Sequence, residues 1–190
     1  MYEQSKASKR RLNDPEFVNI FYCGKGIDIG AGEDSLSKWI PKFPLIESVR
    51  PWDLPDGDAQ YLATIPDETF DFISSAHCLE HMKDVTIALT NWLRVLKPKG
   101  YLIVTVPDED MYERGVWPSQ YNTDHKHTFA MYKEKSWSPV SINVANLNDS
   151  FNVEVMRKTT LDAGFDPNRA GDQTIVGEVE CAIEFVWQKR

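Results

Sequence analysis

The sequence predicts a doubly wound α/β domain, with a mostly parallel sheet and helices on both faces. Residues 26–29 form a short apolar run that ends in a glycine-rich turn, and an amphipathic segment follows at about residues 35–40. This order is typical of a buried strand that turns sharply into a helix. Strand-like and helix-like segments then alternate as far as Val106. At 190 residues, with 42% hydrophobic and 26% charged residues, the chain has the size and composition of one globular domain.

The composition excludes several classes of function. A formal net charge of −8 argues against a protein that mainly binds nucleic acid or an anionic membrane. The cysteines Cys23, Cys78 and Cys181 are scattered and odd in number, which favours reduced, mostly buried thiols. No apolar run has the length of a membrane span, and the first residues lack a signal-peptide core. We therefore expect a cytoplasmic protein without membrane insertion, and the sequence leaves its oligomeric state open.

The first 16 residues are polar and form a predicted N-terminal arm. Lys6, Lys9, Arg10 and Arg11 lie close together there, ahead of Asp14. The arm is expected to be either solvated chain or a short leading helix. The alternative is that this basic cluster contacts an anionic substrate.

The remaining elements follow from periodicity and from turn signals. Apolar residues recur at helical spacing from Val85 to Leu96, after a candidate N-cap at Asp84, which predicts a helix with one buried face. Pro98 and Gly100 are expected to end that helix within residues 97–100. Residues 50–58 look irregular. Residues 161–165 resemble the turn between the end of a helix and a strand. Further strands are expected at residues 45–49, 70–74, 101–106, 151–156 and 181–187.

The glycine turn is the strongest functional signal. Gly30 and Gly32 let the backbone bend and leave room for a ligand, and the following helix start offers free N–H groups. The third glycine of the dinucleotide fingerprint is missing from the residues that follow Gly32, which include Asp34. A carboxylate at Asp28 would repel a pyrophosphate and would favour a cationic ligand. An NAD-dependent oxidoreductase is therefore the disfavoured alternative.

Four stretches, taken together, resemble class I S-adenosylmethionine-dependent methyltransferases of the methyltransferase type 11 group, over roughly residues 24–108. They are Asp-Ile-Gly-Ala-Gly at 28–32, Gly-Asp-Ala-Gln-Tyr-Leu at 57–62, the segment 70–81 that ends in Leu-Glu-His, and Arg-Val-Leu-Lys-Pro-Lys-Gly-Tyr-Leu-Ile-Val at 94–104. The resemblance implies S-adenosyl-L-methionine as the cofactor. It also implies a single-domain Rossmann-like sheet over residues 1–190 whose last strand is antiparallel.

The resemblance also implies a set of cofactor-binding residues. In the family, an acid that ends the second strand binds the ribose hydroxyls; Asp53 fits that place, and Glu47 is the alternative. The usual helix and strand between that acid and the next stretch are nearly absent here. A loop acid, matched by Asp58, binds the adenine amino group, because a carboxylate accepts hydrogen bonds from N–H₂. The predicted cofactor-binding residues are Asp28, Gly30, Ala31, Gly32, Asp53, Asp58, Ala59, Ser75 and His77.

Residues 109–150 interrupt the strand–helix alternation and mix aromatic with polar side chains. In this fold, an insertion here lies over the methyl-donor end of the cofactor. Such side chains suit a hydroxylated acceptor, although an aromatic-rich loop with a purely structural role stays open. His125 and His127 are the candidate general bases for a hydroxyl acceptor. As a metal pair they lack a clear third ligand, and no metal is assigned; His81 is expected to pack structurally.

The segment 124–129 resembles an Asp-x-His segment of methyltransferase-like proteins associated with surface-polysaccharide gene clusters, which is the only indication of substrate class. The sequence thus predicts a methyltransferase that uses S-adenosylmethionine on a small-molecule or glycan hydroxyl. The alternative is a partner protein that binds the cofactor but is catalytically silent.

Overall fold

The computed structural model describes residues 2–190 and is built around a six-stranded sheet. The strands are β1 (Gly24–Ile29), β2 (Ile46–Trp52), β3 (Phe70–Ala76), β4 (Leu96–Pro107), β5 (Thr128–Ala130), β6 (Ser141–Asn143), β7 (Val153–Leu161) and β8 (Ala182–Lys189). The main sheet has the order β2–β1–β3–β4–β8–β7, and β5 pairs with β6 in a separate parallel ribbon.

The strand directions confirm the predicted sheet. β2, β1, β3 and β4 are parallel neighbours, whereas the last strand, β8, runs antiparallel to both β4 and β7. Only one short 3₁₀ turn, Leu54–Asp56, lies between β2 and β3. The compression noted in the sequence therefore removes a strand and a helix from one edge of the sheet and leaves the order of the rest intact.

Two α-helices, α1 (Glu3–Arg11) and α2 (Val85–Val95), accompany the sheet. In α2 the Asp84 carboxylate accepts a hydrogen bond from the N–H of Ile87 (2.9 Å), as an N-cap should. Several short 3₁₀ and π-helical turns complete the structure: Phe17–Phe21, Leu36–Lys42, Leu79–His81, Glu109–Glu113 and Leu147–Ser150. The helix expected after the glycine turn is a 3₁₀ helix that contains Pro41, and proline is incompatible with a regular α-helix interior.

Each face of the sheet carries its own apolar core, because successive strand residues point to opposite faces. On β4, Leu102 and Val104 belong to the core that includes α2, whereas Ile103 packs with Phe17 and Phe21 of the N-terminal segment. The N-terminal segment therefore covers the face opposite α2, which places helical elements on both faces as predicted.

The N-terminal residues are not a solvated arm; the alternative prediction of a leading helix is correct. Arg11 is fully buried and donates to the Glu184 carboxylate on β8 (2.6 Å), and Arg10 donates to the same carboxylate (3.0 Å). Lys6 and Lys9 pair with Glu3 and with Glu178. These carboxylates already neutralise the basic cluster, so its charges stabilise the fold and leave little to attract an anionic substrate.

Several predicted boundaries were wrong because long-range strand pairing extends the strands. β2 continues through the supposedly irregular residues to Trp52, which pairs with Ile29 of β1. β7 runs on to Leu161, which pairs with Ala182, so no helix precedes the turn at residues 161–165. Among residues 2–190, no helix is long and apolar enough to cross a bilayer. All three cysteines are free; Cys23 is exposed, and the other two are buried.

Candidate active site

Two neighbouring cavities lie outside the carboxyl ends of the parallel strands, where β1 is flanked by β2 on one side and β3 on the other. Ligands of open α/β sheets bind at such a switch point. The larger cavity, of about 630 Å³, is lined by Gly30, Asp53, Leu54, Gly57, Asp58, Ala59, Gln60, His77, Cys78, His81, Met82, Lys83, Asp124 and Lys126. The smaller, of about 250 Å³, is lined by Glu3, Gln4, Gly30, Ala31, Gly32, Glu33, Asp34, Ala76, His77, Glu80, His81, Tyr112, Asn122 and His125.

The glycine turn separates β1 from these cavities. The N–H groups of Gly30 and Ala31 both donate to the carbonyl of Trp52 (2.9 and 3.1 Å), which fixes the turn against the end of β2. Gly30 has φ +79°, and a Cβ at this position would lie 2.5 Å from the Cβ of Cys78. Glycine is therefore required at position 30 for the backbone angle and for packing against Cys78, which follows β3, in addition to any ligand contact.

Asp28 supports the turn from below. Its side chain is 2% exposed, and it accepts a hydrogen bond from the N–H of Leu36 (2.7 Å). Burial raises the pKa of this carboxyl to about 6. Asp28 lines neither cavity, so the structure gives it a role in holding the turn and shows no direct route to a cationic ligand.

The structure separates the two candidates for the ribose ligand. Asp53 directly follows β2 and lines the larger cavity, whereas Glu47 lies near the start of β2 and lines a cavity at the opposite end of the sheet. The Asp53 carboxylate accepts hydrogen bonds from the N–H groups of Gly32 (2.9 Å) and Leu54 (2.7 Å). A carboxylate has about four acceptor sites, so it can still accept from two hydroxyl groups.

The other predicted cofactor residues differ in position. Asp58 and Ala59 line the larger cavity, and Asp58 accepts a hydrogen bond from the N–H of Gln60 (2.8 Å). His77, with φ +56° at the end of β3, lines both cavities. Ser75 lines neither, because it is fully buried and donates to the carbonyl of Ile29 (3.1 Å). Ser75 thus ties β3 to β1.

Three histidines surround one buried carboxylate where the two cavities meet. Oε1 of Glu80 lies 3.5 Å from Nδ1 of His77, 4.0 Å from Nε2 of His81 and 3.9 Å from Nε2 of His125. Burial opposes ionisation of Glu80, but the histidines hold its pKa below the usual value. Burial likewise disfavours a charged His77, yet Glu80 and Glu3 raise its pKa. The cluster is therefore a charged centre next to the space for a ligand.

Further carboxylates fix the orientation of two of these histidines. Nδ1 of His125 lies 2.7 Å from Glu113, and Nδ1 of His81 lies 2.9 Å from Asp124. An imidazole whose Nδ1–H is donated to a carboxylate presents Nε2 as an acceptor. Both Nε2 atoms consequently face Glu80. The sequence-based expectation of a packing role for His81 missed this arrangement.

The two histidines proposed as bases are separated by the fold. His125 is buried and lines the smaller cavity, while His127 lies near the carbonyl of Lys83 (Nε2 to O, 3.4 Å) and lines a third cavity beside the start of α2. Of the inserted segment 109–150, the residues that line the two main cavities are Tyr112, Asn122, Asp124, His125 and Lys126. The structure therefore brings His125, and not His127, to the charged cluster.

Other cavity residues had not been selected from the sequence. Leu54 is a large apolar residue, yet it is 89% exposed. Exposed apolar side chains can mark a binding surface, so an apolar residue directly after Asp53 could have indicated that a flat ring binds there. Tyr112 stacks on His125, with ring centroids 5.4 Å apart. No sequence signal could have placed Glu3 and Gln4 of α1 at the smaller cavity, because they reach it through tertiary packing.

Comparison with known proteins now identifies the family. A methyltransferase domain model matches residues 6–155. The chain belongs to the methyltransferase domain family. This assignment, together with the sheet order, confirms the predicted methyltransferase family and the Rossmann-like fold.

Two curated relatives of this methyltransferase domain show how far the sequence similarity extends. An uncharacterized methyltransferase of Schizosaccharomyces pombe is 36% identical over 64 residues, which cover 34% of this chain and 22% of that protein. The ubiquinone/menaquinone biosynthesis C-methyltransferase of Saccharophagus degradans is 43% identical over 60 residues, or 30% of this chain and 24% of that protein. The chain thus matches less than a quarter of the length of either curated relative.

A crystal structure from Thermotoga maritima, of a SAM-dependent methyltransferase and possible histamine N-methyltransferase, has 20% identity and a TM-score of 0.58. The alignment covers 98% of this chain and 91% of that chain. At this level of identity, the match shows a shared fold.

Proposed function

We propose that this methyltransferase transfers the methyl group of S-adenosylmethionine to a hydroxyl group of a small molecule or glycan. The observation that carries the proposal is the cluster of Glu80 and three histidines where the cofactor cavity meets the smaller cavity. Because the segment 124–129 resembles an Asp-x-His segment of proteins associated with surface-polysaccharide gene clusters, we extend the proposal to surface-polysaccharide biosynthesis in the cytoplasm.

The larger cavity suits the ribose and the adenine ring of the cofactor, and Gly30, which lines both cavities, would lie beside its amino-acid part. Asp53 would accept hydrogen bonds from the ribose hydroxyls, while Leu54 and Ala59 offer apolar surface for the adenine ring beside Asp58. The glycine turn would accommodate the amino-acid part. This orientation directs the sulfonium toward His77 and Glu80, where a buried carboxylate would stabilise the cation.

Methyl transfer to a hydroxyl is an in-line displacement. The acceptor oxygen forms a bond to the methyl carbon, the C–S bond breaks with its electron pair left on sulfur, and the hydroxyl proton is transferred to a base. Because a neutral hydroxyl is a weak nucleophile, it needs activation. His125 is our proposed base, since Glu113 fixes its Nδ1 (2.7 Å) and its Nε2 faces the cluster.

The smaller cavity is the proposed acceptor site. Its lining combines hydrogen-bonding groups of Asn122 and Tyr112 with the histidines of the cluster, and Tyr112 also makes an edge-to-face contact with Tyr121, with ring centroids 5.7 Å apart. Polar groups next to aromatic rings suit a hydroxylated molecule or a sugar. The amide and phenol would select for hydroxyl groups, since leaving them unpaired in a bound complex costs free energy.

Calorimetry and a transfer assay test the proposal in sequence. S-adenosylmethionine and S-adenosylhomocysteine should bind to the protein, whereas NAD should not. Radiolabelled methyl transfer should then be measured on matched alcohols, sugars and amines, and the hydroxyl acceptors should be labelled. Exclusive labelling of amines would refute the acceptor class. Tight cofactor binding with no transfer to any acceptor would favour the catalytically silent alternative.

A further inference from the structure

We infer that Glu80, His81 and His125 form a binding site for one divalent transition-metal ion, with zinc the best match. One ligand atom from each residue lies within 4.8 Å of the others. Imidazole nitrogen and carboxylate oxygen are the ligands found in catalytic zinc sites that keep an open position. No metal was assigned from the sequence, because only the pair His125 and His127 was recognisable there.

The Glu80 carboxylate points to a missing partner. It is 0% exposed, its nearest partner is the His77 imidazole at 3.5 Å, and within residues 2–190 neither of its oxygens accepts a hydrogen bond of ordinary geometry. A buried ionised carboxylate without hydrogen bonds is costly, and such groups in proteins are normally paired or bind a metal. The nearest imidazole nitrogens lie 3.5–4.0 Å away, a separation that leaves space for an ion between them.

The surroundings of both histidines match those of metal ligands. Metal-binding histidines usually donate their second ring N–H to a carboxylate, which fixes the tautomer and the direction of the free nitrogen. Here Glu113 binds Nδ1 of His125 and Asp124 binds Nδ1 of His81. Both free Nε2 atoms then face Glu80, which gives two copies of the carboxylate–histidine–metal arrangement around one carboxylate.

The distances fit a site that tightens when the ion binds. Bonds of about 2.0–2.1 Å in a tetrahedron separate ligand atoms by about 3.3–3.4 Å. The Nε2 atoms of His81 and His125 lie 4.0 and 3.9 Å from Oε1 of Glu80. Since all three ligand atoms lie within 4.8 Å of one another, each pair would have to close by about 0.5–1.5 Å to complete the site. His77 is close enough to Glu80 to contact an ion-bound water.

A role in catalysis rests on the proposed function, whereas metal binding itself does not. Three protein ligands leave at least one open position, and His81 lines both cavities. An acceptor hydroxyl bound there would have a lowered pKa, would lose its proton to solvent, and would attack the methyl carbon as the C–S bond breaks. When the ion is bound, His125 would be one of its ligands, and the lowered pKa of the hydroxyl would replace the base role that we propose for His125 in the ion-free protein.

Cobalt provides a direct readout of the site, independent of activity. Protein freed of metal with a chelator should be titrated with Co²⁺ while the visible d–d absorption is recorded. One equivalent should give a saturable band that Zn²⁺ abolishes. Glu80→Gln and His125→Ala should each weaken Co²⁺ binding at least tenfold. The matched control His127→Ala should bind like the native protein, because that histidine lies outside the cluster.

The contact between Glu113 and His125 allows a sharper prediction. Glu113→Gln leaves all three ligands in place but weakens the hold on Nδ1 of His125, so it should weaken Co²⁺ binding by about 10–100-fold. Circular dichroism would establish that each variant is folded, and the nearly isosteric Glu80→Gln remains informative if His125→Ala unfolds.

The outcomes for metal binding and for the proposed function are distinguishable. No saturable Co²⁺ band in native protein that still binds S-adenosylhomocysteine would overturn the metal site and leave the methyltransferase proposal standing. Equal losses in His127→Ala and in His125→Ala would also overturn it, since the metal would then bind elsewhere. Cobalt binding without any cofactor binding would instead refute the proposed function alone.

Discussion

Replacing Asp53 with alanine provides the most informative test of the cofactor site. Asp53 follows β2 directly, and its carboxylate already accepts hydrogen bonds from Gly32 and Leu54. We expect its remaining acceptor sites to bind two ribose hydroxyls. The variant would therefore lose both the ligand contact and part of the support for the glycine turn.

The size of the effect follows from the type of hydrogen bond. Hydrogen bonds to a charged group contribute about 1.5–3 kcal/mol, and each 1.4 kcal/mol corresponds to about tenfold in affinity. Asp53→Ala should weaken cofactor binding by roughly ten- to a hundredfold. The variant would also lose the N-cap of the 3₁₀ turn Leu54–Asp56, which Asp53 provides. This loss should cost about 1 kcal/mol of folding free energy, a separate and smaller effect.

Calorimetric titration with S-adenosylhomocysteine measures the affinity, and urea denaturation of the same variant measures stability. Glu47→Ala is the matched control, because it removes a carboxylate from the same strand at the end away from the cavity. It should leave the affinity unchanged. If Glu47→Ala weakens binding while Asp53→Ala does not, the cofactor lies at the other end of the sheet and our assignment of the cavity is wrong.

Three further predictions concern the fold around the site. Folding raises the pKa of Asp28 to about 6 from about 3.9. The native state therefore binds more protons than the unfolded state in this range, and the free energy of unfolding falls as the pH rises from about 4 to about 6. Asp28→Asn should remove about 3 kcal/mol of this loss, as measured by urea denaturation across that range. Glu184→Gln should destabilise the fold by about 3–5 kcal/mol, because Arg11 stays buried without a counter-charge. Gly30→Ala should cost about 2–4 kcal/mol, since its Cβ would meet Cys78 and its φ is positive.

Each of these predictions has a contrary result. A wild-type pH dependence retained by Asp28→Asn would mean that another group titrates. A Glu184→Gln variant of native stability would show that the guanidinium of Arg11 reaches solvent. If Gly30→Ala is as stable as the native protein and only loses cofactor affinity, the glycine is there for the ligand and not for packing.

The sequence by itself determined the elements that local patterns encode. Helix α2 and its cap at Asp84 follow from helical spacing and one favourable side chain, and the glycine turn follows from residues within a few positions of each other. The compressed connection after Asp53 was likewise visible as missing residues. Side-chain periodicity and turn chemistry act over short distances along the chain, so they can be recognised without the fold.

Tertiary structure alone decided how the site is composed. The sequence left Asp53 and Glu47 open as ribose ligands; pairing with β1 extends β2 to Trp52 and places only Asp53 at the cavity. It likewise ranked His125 and His127 together, although the fold separates them. Glu80 meets His125 from a position 45 residues earlier in the chain. Such contacts depend on long-range packing and on side-chain direction, and neither has a signature in local sequence.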